Sequence, residues 1–96
     1  MRLTPKEIEL IKKAFHEIMG DGRIYLFGSR VDDTKRGGDI DLYLCPRECT
    51  DNMHQKKIKF LVKLDEYLGE QKIDVVIARD QTRLIEQEAL RTGLEL

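Results

Sequence analysis

The sequence predicts a small α+β domain, a two-layer arrangement in which a mixed β-sheet carries helices packed on one face. Amphipathic helical patterns alternate along the chain with short apolar runs typical of strands, in the order helix, strand, strand, helix, strand, helix, with a short helical turn after the first strand. The chain has 96 residues, which suffices for one hydrophobic core. We therefore expect residues 1–96 to form a single domain.

The first helix should begin directly after Thr4. The Thr4 side chain can cap the helix, Pro5 suits the first helical position, and Glu7 completes a capping box. The glycines of Gly20-Asp21-Gly22 end the helix and turn the chain. The apolar residues that follow the cap fall on one stripe, as expected for a helix facing a core: Ile8, Ile11, Ala14, Phe15, Ile18 and Met19.

Three apolar runs predict strands. The first covers about 23–27, and the second covers 39–44 and is closed by Pro46. The third, 72–78, is almost continuously apolar, with Asp74 as the exception. A polar residue inside such a run indicates a site on the face of the sheet.

Two further helices complete the pattern. The second is predicted at about 51–68, with Gly69 at its end. The third is predicted at about 81–92, where apolar residues are mixed with Glu88, so that the core face is narrow: Leu84, Ile85 and Leu90 are the apolar positions.

The second helix also carries a cationic cluster made of His54, Lys56, Lys57, Lys59 and Lys63. Such a cluster is typical of the solvated side of an amphipathic helix. It is equally the pattern of a patch that meets an acidic partner or RNA, and both interpretations stay open.

Composition narrows the class of protein. The net charge of −1 argues against bulk attraction to nucleic acid, so direct nucleic-acid binding is not expected. No stretch reaches the length of a membrane span, and the N-terminus lacks the apolar core of a signal peptide. We expect a cytoplasmic protein without membrane contact.

The most informative motif lies between the first two strands. Gly28-Ser29 ends the first strand and predicts a tight turn where backbone N–H groups and a hydroxyl can meet a phosphate. Asp39 and Asp41 begin the second strand, and both point to one face because strand residues alternate. Two adjacent carboxylates repel unless a cation such as Mg²⁺ joins them. The arrangement indicates phosphoryl or nucleotidyl transfer.

These residues resemble the DNA polymerase β-like nucleotidyltransferase superfamily. The similarity covers Leu-Phe-Gly-Ser-Arg at 26–30, Asp-Ile-Asp-Leu at 39–42, and a third carboxylate on a later strand, Asp74. It is strongest to the minimal nucleotidyltransferases, which are hardly longer than the core fold. The family often has Ser before the first Asp of the pair, whereas this chain has Gly38.

The resemblance implies roles for the matching residues. Asp39, Asp41 and Asp74 would be the catalytic carboxylates and would hold two Mg²⁺ ions that bridge ATP and the attacking hydroxyl, with Asp74 also able to accept the proton. Gly28, Ser29 and Arg30 would bind the nucleotide: Gly28 through a close backbone approach, Ser29 through its hydroxyl, and Arg30 through its charge.

The resemblance also implies a biological function. Minimal nucleotidyltransferases are similar to the antitoxins of two-gene modules that transfer AMP from ATP to a tyrosine of a HEPN-domain ribonuclease toxin. No acceptor domain is visible in the sequence, so we expect another chain or a second copy of this chain to supply the acceptor. Two alternatives stay open: an antitoxin that inhibits its partner by binding alone, and a nucleotidyltransferase that modifies a small molecule such as an antibiotic.

Overall fold

The fold is that of a computed structural model that describes residues 3–28, 40–48, 51–69, 71–79 and 82–96. These residues form three helices and four strands. The helices are α1 (Pro5–Met19), α2 (Met53–Leu68) and α3 (Leu84–Thr92), and the strands are β1 (Gly22–Phe27), β2 (Ile40–Pro46), β3 (Ile73–Ile77) and β4 (Leu94–Glu95). The predicted α+β class with a small mixed sheet is confirmed.

Helix α1 begins as the sequence predicts. The backbone N–H of Glu7 donates to the Thr4 hydroxyl at 3.1 Å, and the N–H of Thr4 donates to the Glu7 carboxylate at 2.9 Å. This reciprocal pair satisfies two of the backbone donors that a helix leaves open at its start. The helix ends at Gly20, whose φ of +81° is a conformation that glycine adopts without steric cost.

The strand order across the sheet is β3-β2-β1-β4. Strand β1 pairs antiparallel with both β2 and β4, whereas β2 and β3 pair in parallel. A parallel pair needs a crossover connection, and α2 provides it. Strand β4 was not expected, because two residues are too short to show the alternation that predicts a strand.

One face of the sheet holds the main core. Alternate residues of the strands, including Leu26 and Leu42, meet Phe15 of α1 and Phe60 of α2, and all four are fully buried. The rings of Phe15 and Phe60 meet edge to face, with centroids 6.5 Å apart. As predicted, α1 and α2 therefore share one face.

Helix α3 differs from the expected arrangement because it packs on the opposite face. Its Ala89 joins Phe27 and Tyr43, which point away from the main core. The predicted core face of α3 is also wrong: Leu84 is 82% exposed, whereas Glu86 and Ala89 are buried. A small residue lets the helix approach the aromatic rings closely, and Glu86 is buried because it finds polar partners there.

Within the described ranges, no helix combines the length and the apolar composition that crossing a membrane requires.

Candidate active site

Two of the predicted carboxylates lie side by side. Asp41 of β2 and Asp74 of β3 are direct partners in the parallel register, so their Cα atoms are about 4.8 Å apart and both side chains point to the same face. Phe27 is the partner of Asp41 on the other side, in β1. The three residues form one row across the sheet, on the face opposite to α1 and α2.

The next row of residues along this face is more deeply buried than the row that holds the two carboxylates. Tyr25, Tyr43 and Val76 follow one step along the same face, and Tyr43 is fully buried. Asp41, by contrast, is half-buried, and Asp74 is exposed. The carboxylates thus stand where the buried face becomes open to solvent, with apolar side chains behind them. An apolar boundary lowers the local dielectric and strengthens their attraction for a cation.

Gly28 is the third predicted residue that the structure brings to this place. It follows β1 directly and has a φ of +76°, which L side chains rarely adopt. A Cβ atom built at Gly28 would collide with Oδ2 of Asp41 and would lie 3.2 Å from its Cγ. The sequence predicted a close backbone approach at this glycine, and the structure places that backbone against the Asp41 carboxylate.

Three predicted site residues, Ser29, Arg30 and Asp39, lie outside the described residues, as does the short helical turn expected after the first strand. Their assigned roles stay predictions. The same holds for Gly38, where the chain departs from the family pattern.

The residues present fit a magnesium ion chemically. Asp41 and Asp74 offer carboxylate oxygens, the ligands that Mg²⁺ prefers, and each Mg²⁺ usually combines one or two carboxylates with phosphate oxygens and water. Across the described part of the chain, no group of three or more His, Cys, Asp and Glu side chains could hold a metal. The observed donor set is therefore a pair, and the predicted third carboxylate, Asp39, is not among the residues described.

The sequence did not indicate a special role for Glu86, which is fully buried on the inner side of α3. Its Oε1 accepts hydrogen bonds from the Tyr43 hydroxyl at 2.8 Å and from the Arg79 N–H at 3.1 Å. Its Oε2 accepts from Nη1 of Arg83 at 3.2 Å. The only sequence signal was the spacing of Arg83 and Glu86, which suits an ion pair on one turn of helix.

This network affects Tyr43, which lies two residues from Asp41 on the same face. Burial, together with the hydrogen bond to Glu86, raises the pKa of the Tyr43 hydroxyl well above its ordinary value of 10.0. Tyr43 is consequently a neutral hydrogen-bond donor that fixes α3 to the strand carrying Asp41.

A comparison with protein-family models matches residues 8–96 to the model described as "Polymerase beta, Nucleotidyltransferase". The match runs from within α1 to the C-terminal residue and includes Gly28, Asp41 and Asp74. No curated protein matches the chain.

Proposed function

Since this chain belongs to the polymerase beta nucleotidyltransferase family, we propose that it is an antitoxin that transfers AMP from ATP to a tyrosine of a HEPN-domain ribonuclease toxin. Nucleotidyl transfer follows from the family, whose members generally use Mg²⁺ and a nucleoside triphosphate. The acceptor and the antitoxin role are the proposal.

One observation carries the proposed transfer: Asp41 and Asp74 are in register on the open face, with the Gly28 backbone against Asp41. Adjacent carboxylates repel, which makes such a pair costly without a cation. A metal-bound triphosphate would relieve that repulsion, and its phosphates could approach the backbone of Gly28.

Each residue of the proposed site would have a separate role in the reaction. Asp41 and Asp74, with Asp39 as predicted, would hold the metal ions, and Gly28 would allow the triphosphate to approach the backbone. Bound Mg²⁺ would supply charge neutralisation at the attacking and leaving oxygens. Asp74, which is exposed on β3, would receive the proton of the attacking hydroxyl.

The reaction balances without another reactant. The tyrosine oxygen forms a bond to the α-phosphorus of ATP as the bond from that phosphorus to the bridging oxygen breaks. Pyrophosphate leaves, and the hydroxyl proton goes to Asp74 and then to solvent. The tyrosine now carries a phosphodiester anion and a nucleoside, so both charge and bulk oppose the entry of RNA into the toxin.

Mass spectrometry of the partner tests the proposal. The chain is co-expressed with the protein encoded by the adjacent gene, and the partner is then purified away from it. We expect an added AMP mass on a tyrosine with the wild-type chain and with the control Asp65→Asn, but not with Asp41→Asn. A partner that is fully inhibited in the complex yet unmodified would favour inhibition by binding, and AMP transfer to an aminoglycoside instead would favour the small-molecule enzyme.

A further inference from the structure

A cleft of about 640 Å³ lies along β3, and its lining begins at Val75, the residue that follows Asp74. Its floor is apolar and includes Val75 and Ile77, whose strand also carries Asp74. Its rim carries basic side chains: His54 and Lys57 from α2, and Arg79 and Arg83 from the segment before α3. We call this cleft the edge groove.

Strand β3 ends the sheet formed by the described residues, and no strand of those residues pairs with its outer edge. The Lys72 carbonyl and the Ala78 N–H are bonded to β2. Backbone groups of a parallel strand alternate in direction, so the intervening odd-numbered residues, Val75 and Ile77 among them, direct their N–H and C=O groups outward. Arg79 confirms this alternation, because its N–H points outward to Glu86. The edge groove therefore presents backbone donors and acceptors.

The charge of the edge groove has one sign. No acidic side chain is among its described lining residues. Arg83 is paired with Glu86 at 3.2 Å, but Lys57 and Arg79 form no ion pair with any residue of the described ranges. Since the whole chain has a net charge of −1, this concentration of positive charge is local and favours an acidic partner.

We propose that the edge groove binds an extended, acidic segment of the acceptor protein, which adds to the sheet as a further strand beside β3. This inference rests on the proposed transfer to a protein. Outward N–H and C=O groups match a peptide backbone, and the alternating acidic side chains of that peptide, which share one face of the added strand, would meet the basic side chains of Lys57 and Arg79 at the rim. Asp74 directly precedes Val75, so a bound segment would deliver a hydroxyl close to the carboxylate pair.

A binding experiment tests the edge groove without knowledge of the partner. The probe is a short fluorescent peptide of alternating glutamate and threonine, with an alternating lysine and threonine peptide as the negative control. We expect the acidic peptide to bind the wild-type chain and to bind Lys57→Glu/Arg79→Glu at least about tenfold more weakly. Lys12→Glu/Lys59→Glu makes the same change in net charge on exposed residues outside the groove and should retain binding.

Hydrogen exchange of the wild-type protein supplies an independent readout. Pairing with an added strand should slow exchange of the Val75 and Ile77 amides when the acidic peptide is present. Equal loss of binding in both double variants, or unchanged exchange at these two amides, would overturn strand addition. Binding of a short single-stranded RNA in the groove with no binding of the acidic peptide would overturn it as well.

A final measurement separates this inference from the proposed function. With the co-expressed partner, Lys57→Glu/Arg79→Glu should lose AMP transfer while its calorimetric affinity for Mg²⁺-ATP stays at the wild-type value. Full transfer by this variant would overturn docking in the edge groove. If the wild-type chain itself modifies no protein, the proposed function fails, and peptide binding still decides whether the groove accepts a strand.

Discussion

The Asp41 carboxylate occupies the space that a side chain at position 28 would need, so Gly28 lies directly against it. A Cβ atom there would overlap Oδ2 of Asp41 and lie 3.2 Å from Cγ. Asp41 is in turn the register partner of Asp74. The Gly28 backbone and the carboxylate pair are therefore in contact, and a side chain at position 28 would have to displace Asp41.

Gly28→Ala should weaken nucleotide binding in addition to lowering stability, because its side chain would displace the Asp41 carboxylate. The matched control is Gly69→Ala, because Gly69 has nearly the same φ, +77°, and no atom within 4 Å of a built Cβ. Both variants should lose about 1–3 kcal/mol of unfolding free energy, because each puts a side chain on a backbone with positive φ. Only Gly28→Ala must also displace Asp41, so only it should bind Mg²⁺-ATP weakly by calorimetry. Equal affinities in the two variants would show that the contact with Asp41 is unimportant.

Neutralising either carboxylate should abolish most transfer while leaving the fold intact. We expect Asp41→Asn and Asp74→Asn each to lower the rate of the proposed AMP transfer by about 100-fold or more, because each removes a charge from the proposed metal site with little change in volume. Asp65→Asn, an exposed acid on α2, should be unaffected. Circular dichroism checks that the variants keep the fold. Undiminished transfer by Asp74→Asn would show that Asp74 is not a site residue.

The buried carboxylate of Glu86 should contribute far more to stability than its exposed neighbour on the same helix. In Glu86→Gln the amide oxygen can still accept from Tyr43 and Arg79, but the NH₂ group then faces the Arg83 guanidinium, and we expect a loss of about 1–3 kcal/mol. Glu88→Gln breaks only a surface pair with Arg91 and should cost less than about 1 kcal/mol. Urea unfolding measures both, and similar losses would mean that the buried network is not stabilising.

The raised pKa of Tyr43 predicts how stability depends on pH. The unfolded chain releases this proton near about pH 10, whereas the folded protein keeps it to higher pH. The Tyr43 hydroxyl therefore stabilises the fold fully below about pH 10, and this contribution declines above that value. Tyr43→Phe should be less stable than wild type at about pH 8 by roughly 1–2 kcal/mol, and this difference should shrink by about pH 11. A constant difference over this range would contradict the raised pKa.

Local patterns determined several features from the sequence alone. The capping box of Thr4 and Glu7, the turn at Gly20 and the alternation along β2 each depend on groups a few residues apart, so their geometry follows from the backbone. The site residues Gly28, Asp41 and Asp74 were recognisable for the same reason, as a turn glycine and as carboxylates within apolar runs.

Only the tertiary structure decided which of these groups meet. Asp41 and Asp74 are far apart in sequence and become neighbours through the parallel register of β2 and β3. Helix α3 packs on the face opposite to α1 and α2, where Glu86 accepts hydrogen bonds from the Tyr43 hydroxyl of β2 and from the Arg79 N–H. A buried polar group is stable only with its partners in place, and strand pairing, which no local pattern encodes, positions those partners.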